Sequence, residues 1–378
     1  MKKALILLLT CSLSLSSCSL ISNTETTQEA STSEKTSISQ EVETSSPTEA
    51  SSEAKTSTST SAEESTLALE DYFPYLDTEE RFYEGTGIEF ASFYLYPDYY
   101  DKDAKRIQIR TNNSATEVVR VLALEDGKMV VKLNRPENYF RDNLLDADDG
   151  EEEVLLQEPL EVGTTWDVTD GKRTISSVDE KLDTIYGELS CIVVETKSNK
   201  DNYYSKMYLA PEYGLVKFED GASDGSYTNI SELKTVSKEP FDLSIVVFYP
   251  NYVDDGFIQE EKHLALKTND ITRLKIQELL KEGSSTSDTP GFLTKDTKIN
   301  HLYKGDDGIA YVDFSKELYE NSRNLGSGPE ALFLQCIVNT IGNYYLTDSV
   351  YLTVEGQPYK SGHVEMEKGQ LFTVQTFE

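Results

Sequence analysis

Histidine, cysteine and positive charge are all scarce in this chain. Three His and four Cys in 378 residues leave few ligands for zinc or haem. His263, His301 and His363 show no metal spacing, and no Gly-x-Ser-x-Gly or cysteine partner motif accompanies them. No cofactor and no metal site are expected. Lys and Arg total 35 against 67 Asp and Glu, a net charge of −32. Such a deficit excludes nucleic acid as a partner held by a broad basic surface, and excludes docking on anionic lipid through a polybasic patch. Acidic pairs are so frequent that no glycosidase dyad can be singled out.

Long apolar runs are missing as well. Lys2-Lys3 precede a short stretch, Ala4 to Leu9 with Leu13 and Leu15, well below the roughly 20 residues that span a bilayer. Residues 1–17 therefore read as a signal peptide. Leu15-Ser16-Ser17-Cys18 resembles the bacterial lipobox, in which small side chains precede the cysteine that takes the diacylglyceryl group. Cys11 is the competing candidate, but it would shorten the apolar run and put Thr10 before the cut. Cys18 is the expected lipidation site, and a two-chain lipid gives stable anchoring. The expected location is the outer face of the cell membrane, with the membrane engaged through this anchor.

Residues 18–66 contain no aromatic side chain and are dominated by Ser and Thr, interrupted by carboxylates such as Glu25, Glu34, Glu43 and Glu53. A segment of this kind cannot bury enough surface to offset its ordering entropy. A disordered tether is expected, with an r.m.s. span of roughly 35–40 Å.

Between 67 and 238 the pattern is that of short strands, among them Ile88–Tyr96, Arg106–Arg110, Glu117–Leu124, Met129–Leu133, Cys191–Thr196 and Tyr203–Leu209. Turn pairs such as Asp126-Gly127 and Asp170-Gly171 separate them. An antiparallel β-rich domain, sandwich or barrel-like, is predicted. The stretches Glu84-Gly85-x-Gly87-x-Glu89, Pro159 to Trp166 and Leu209 to Val216 resemble a β-module of secreted lipoproteins from anaerobic Gram-positive bacteria. Phe93, Tyr94, Tyr96, Tyr99 and Tyr100 suit sugar stacking or interfaces, and suit half-exposed strands better. Asp146-x-Asp148-Asp149-Gly150 fails as a calcium loop, because a Gly at the sixth position puts Leu145 at the first; it reads as a solvated acidic turn.

From 239 to 378 the pattern becomes mixed α/β. An apolar strand, Leu243–Tyr249, ends at Pro250; Thr268-Asn269-Asp270 then caps a helix that Gly283 stops. Lys298–Tyr303 and Ile309–Phe314 flank the hairpin signal Gly305-Asp306-Asp307-Gly308, a helix runs from Pro329 to Ile341, and Ser349–Val354 is a strand. The words Val247-Phe248-Tyr249-Pro250, Ile276 to Gly283, Ile309 to Leu318, Gln335 to Ile341 and Val350 to Pro358, in this order, resemble the GerM-type (GerMN) domain. The resemblance implies a small α/β domain of sporulation, germination and cell-envelope lipoproteins. The loop at Thr286–Phe292 departs from it by lacking the usual run of prolines. The expected fold class is multidomain α+β: a lipid-anchored disordered tether, an antiparallel β-rich domain, then a small α/β GerMN domain.

Each matched polar residue has a structural reading. Asp313 and Ser315 at a strand end read as a helix N-cap, Asn339 as a side chain bonding a loop backbone, and Cys191 and Cys336 as buried thiols. No catalytic residue is assigned. The expected function is a non-enzymatic envelope lipoprotein with a protein or peptidoglycan partner. The alternative is an enzyme acting on wall glycan or peptide, and a third reading is capture of a small ligand in the β-rich domain.

Overall fold

The computed structural model describes residues 67–375; the expected signal peptide, the expected lipidation site Cys18 and the expected tether to Thr66 lie outside the described residues. Twelve strands form one antiparallel sheet: β1 (Glu80–Thr86), β2 (Phe93–Asp101), β3 (Arg106–Asn112), β4 (Glu117–Glu125), β5 (Lys128–Pro136), β6 (Glu153–Gln157), β7 (Thr165–Val168), β8 (Gly171–Thr184), β9 (Gly187–Ser198), β10 (Tyr203–Ala210), β11 (Gly214–Ala222) and β12 (Thr228–Ser237). Each pairs with its sequence neighbour and β12 returns to β1, so the ladder breaks only between β6 and β7. Side chains bridge that break. Trp166 Nε1 donates to the Val154 carbonyl at 3.0 Å, Arg173 donates to the same carbonyl, and Arg173 also pairs with Glu153. The result is a near-barrel.

Register places Ile175, Val194, Met207, Phe218, Tyr83 and Phe93 on one continuous inner face, all buried. Strand period and turn chemistry explain most of this. At the β4–β5 hairpin both Asp126 (φ 49) and Gly127 (φ 70) take the left-handed conformation that a two-residue primed turn requires. Ile88 is exposed and belongs to the turn before β2, so the strand expected from Ile88 begins at Phe93 and runs on to Asp101. Strands β1, β6, β7 and β12 add to the expected set.

The C-terminal region opens with the hairpin of β13 (Phe241–Asn251) and β14 (Gly256–Leu266). Pro250 does not end the first strand; it lies opposite Phe257 inside the ladder. Next come α1 (Thr272–Lys281), β15 (Ile299–Lys304), β16 (Ala310–Phe314), α2 (Leu318–Ser322), α3 (Ser327–Tyr345), β17 (Ser349–Val354) and the short β18 (Gln357–Pro358) and β19 (Phe372–Thr373). Strand β15 pairs antiparallel with β16, while β16 and β17 run parallel across the α3 crossover. The core between helices and strands contains Val247, Leu280, Phe314, Ile337 and Leu352.

Residues Leu67–Glu378 form one compact unit, and its inner joint is polar. Arg141, on the loop after β5, is fully buried. It donates to Asp98 Oδ1 (3.1 Å), the Tyr99 hydroxyl (3.0 Å), Thr272 Oγ1 (2.9 Å) and the carbonyls of Asp270 (2.7 Å) and Lys267 (3.0 Å). Thr268-Asn269-Asp270 serves this joint and does not cap α1. Thr268 Oγ1 donates to the Pro97 carbonyl at 2.9 Å, Asn269 Oδ1 accepts from Tyr100 N at 2.9 Å, and no side chain bonds the first turn of α1. The physical reason is competition: residues that cap helices bond any nearby backbone group, and here β2 offers one.

Candidate functional site

The outer face of the β15–β16–β17 sheet gathers three tyrosines and an aspartate of the C-terminal region. Alternation turns Ala310, Val312 and Phe314 to the core and Tyr311 and Asp313 outward. Tyr303 lies opposite Tyr311, and Tyr311 opposite Tyr351, so three tyrosines stand side by side across three strands. Tyr303 and Tyr311 stack with centroids 5.1 Å apart, and Tyr351 meets Tyr311 edge-on at 5.9 Å. Tyr303, on the sheet edge, is 47% exposed. The Tyr311 hydroxyl donates to Asp307 at 2.6 Å, and this bond pushes its pKa up to about 12. The phenol is therefore a fixed neutral donor and no acid at working pH.

Asp313 sits beside this strip. Its Oδ1 accepts from Thr353 Oγ1 (2.6 Å) and Gly356 N (2.7 Å), and its Oδ2 accepts from Asn300 Nδ2 (2.9 Å). Burial alone would raise its pKa, but these donors outweigh burial and hold the carboxyl below its usual range. The expected helix cap is thus corrected: Asp313 secures the β17–β18 turn. Ser315 is also spoken for, since its Oγ accepts from Lys298 N at 3.0 Å.

Asn339 Oδ1 accepts from Gln375 N at 2.9 Å, a backbone bond to the C-terminal segment. Cys191 and Cys336 are buried free thiols; burial pushes the first up to about 11 and the second higher still. His263 pairs with Asp242 at 3.0 Å on the surface, and His301 and His363 are exposed, with His301 opposite Asp313 in the β15–β16 ladder. Among the described residues no three His, Cys, Asp or Glu side chains come together as a metal site. Within the aromatic run, Phe93, Tyr96 and Tyr99 are buried, and Tyr96 donates to the Leu266 carbonyl at 2.9 Å. That run builds core and joint. The acidic turn closes on Lys132, which pairs with Glu125 (2.9 Å), Asp148 (3.1 Å) and Glu152 (2.5 Å). Tyr303, Tyr311 and Tyr351 were not singled out in the sequence. Tyrosines on the outward parity of three strands were the available signal, but their adjacency depends on the parallel β16–β17 register.

Residues 246–360 match the Germane family, described as sporulation and spore germination. The chain carries a GerM-type domain. No curated protein matches the chain. Among solved structures, the first GerMN domain of the sporulation protein GerM from Bacillus subtilis is similar at 22% identity, covering 31% of this chain and 85% of that one, with a TM-score of 0.23. A Clostridium perfringens protein provisionally described as a lipoprotein is similar at 22% identity, covering 35% of this chain and 87% of that one, with a TM-score of 0.23. A Bacteroides fragilis protein with a YmcC-like fold is similar at 14% identity, covering 44% of this chain and 98% of that one, with a TM-score of 0.30. The tyrosine strip and Asp313 lie within the GerM-type domain. No helix among the described residues is long and apolar enough to cross a membrane.

Proposed function

We propose that this chain is a non-catalytic cell-envelope lipoprotein, anchored through Cys18, whose GerM-type domain binds a protein or peptidoglycan partner in sporulation, germination or envelope assembly. The near-barrel acts as a stand for that domain, joined to it through Arg141. One observation carries the reading. The chemistry-bearing side chains of the matched motifs, Asp313 and Ser315, are engaged in structural bonds, while Tyr303, exposed, and Tyr311 and Tyr351, half-buried, form an aromatic strip on the same face. Catalysis needs a nucleophile, base or metal within reach of one another. Recognition needs amphipathic rings with a polar tip, which tyrosine supplies.

The test is a pull-down from intact cells with wild type and with Tyr303→Ala/Tyr351→Ala, run beside a zymogram on purified wall. The reading expects partner capture that the double variant loses, and no wall lysis by either protein. Wall lysis that disappears in a folded Asp313→Asn variant would replace it with an enzyme.

A further inference from the structure

Five arginines are buried among the described residues: Arg81, Arg110, Arg120, Arg141 and Arg173. Four are neutralised by a carboxylate. Arg81 pairs with Glu79 at 2.5 Å, Arg110 with Asp98 at 3.0 Å, Arg141 with Asp98 at 3.1 Å, and Arg173 with Glu153. Arg120 has no such partner. Its one hydrogen bond runs from Nη1 to Thr111 Oγ1 at 3.4 Å, the weak end of the range for five available donors. In a chain with 67 acidic residues this is not a shortage of carboxylates. Glu153 is the carboxylate whose field reaches Arg120, and Arg173 already holds it.

A second, independent irregularity adjoins the first. Asn134 lies directly opposite Arg120 in the β4–β5 ladder, so both side chains leave the same face. Its Oδ1 is buried and accepts no hydrogen bond. Ile109, the β3 partner of Arg120, and Thr111 belong to that face too, which continues through Leu95 and Phe93 into the near-barrel interior. Burial alone pushes the Arg120 pKa down to about 10, so the guanidinium is still charged at neutral pH. Water could occupy the hydrogen-bonding positions, but it would not neutralise a charge removed from solvent.

We propose that Arg120 and Asn134 form an internal binding site for a small anion, of chloride or carboxylate size, on the inner face of the near-barrel. The anion accepts from the guanidinium, and the Asn134 amide rotates to give its NH2 group in place of the orphaned oxygen. Thr111 sits beside the site as the third polar group.

The test is thermal melting of the mature full chain in sodium chloride or sodium acetate, each titrated against sodium gluconate at constant ionic strength. Wild type should show a saturating rise of a few degrees with the small anion. Arg120→Met should show none, and should melt at or above wild type in gluconate, because an unpaired buried charge has been removed. Asn134→Leu should show a smaller rise than wild type. An equal anion response in wild type and Arg120→Met would overturn the site. Should Arg120→Met fail to fold, bromide soaked into wild-type crystals decides: an anomalous peak within hydrogen-bond distance of Arg120 supports the site, and its absence there overturns it.

Discussion

Asp313 and Asp142 are both withdrawn from water, yet they are driven in opposite directions. Three donors hold Asp313 ionised. Asp142 faces the Tyr345 hydroxyl (2.9 Å) and Lys304 N (3.4 Å), and burial outweighs these bonds, raising its pKa from 3.8 to about 6. Asp313→Asn should leave the Asn300 amide facing another amide and cost about 1–3 kcal/mol in urea unfolding. Asp142 carries the reverse sign. Its folded pKa lies above the unfolded value, so the ionised form costs the fold stability above about pH 6, and that cost fades as pH falls from 6 toward 3.8. Asp142→Asn should therefore be more stable than wild type at pH 7.5, by on the order of 1–2 kcal/mol, with the advantage gone by pH 4. Equal gains at both pH values would contradict this. Residue identity was the least legible level in the sequence. Asp, Ser, Thr and Asn cap helices, turns and strands by the same hydrogen bonds, so Thr268, Asn269 and Asp313 could not be assigned before their neighbours were known.

Elements were more legible where one face is apolar. The β2–β5 and β8–β11 strands and the two long helices follow from period and turn signals. Strand β14 has no counterpart among the expected strands, because the charged run Glu260, Glu261, Lys262 and His263 gives it no apolar face; it sits on a hairpin of which β13 supplies that face. Strand β1 was hidden by Arg81, whose charge is absorbed by Glu79. Glu260 explains a further departure. The loop after α1 lacks the expected run of prolines, and Glu260 ties it down by accepting from Ser284 Oγ (2.6 Å), Ser285 N (3.0 Å) and Thr286 N (2.7 Å). Although burial opposes ionisation, these donors hold its carboxyl far below the usual range. Glu260→Gln should speed hydrogen exchange at Ser285 and Thr286 by tenfold or more, about 1.4 kcal/mol of local opening, while leaving β16 amides unchanged. Unchanged exchange in the loop would show that this carboxylate does not hold it.

At the scale of the molecule, the joint around Arg141 was not legible, because it is made by residues from four separated segments. The division between a β-rich domain ending at 238 and a GerM-type domain from 239 remains a proposal; β12 ends at Ser237 and β13 begins at Phe241. A fragment from Glu239 to Glu378 should unfold cooperatively with a near-ultraviolet signal, at a lower midpoint than the full chain because it loses the Arg141 bonds. Arg141→Met in the full chain should cost about 3–5 kcal/mol, the usual penalty for breaking a buried pair. A fragment without near-ultraviolet signal would mean that the core does not divide at that point. With a net charge of −32, partner capture that is electrostatically steered should also weaken as salt rises from 0.1 M to 1 M, where the Debye length shrinks from roughly 10 Å to 3 Å.

The central claim is binding without chemistry at the outer face of the GerM-type domain. Crosslinking capture from intact cells, comparing wild type with Tyr303→Ala/Tyr351→Ala at matched expression and folding, tests it most directly. The account predicts a partner enriched by wild type and lost by the double variant, with wall integrity the same in both. Capture that is indifferent to the two tyrosines would contradict it.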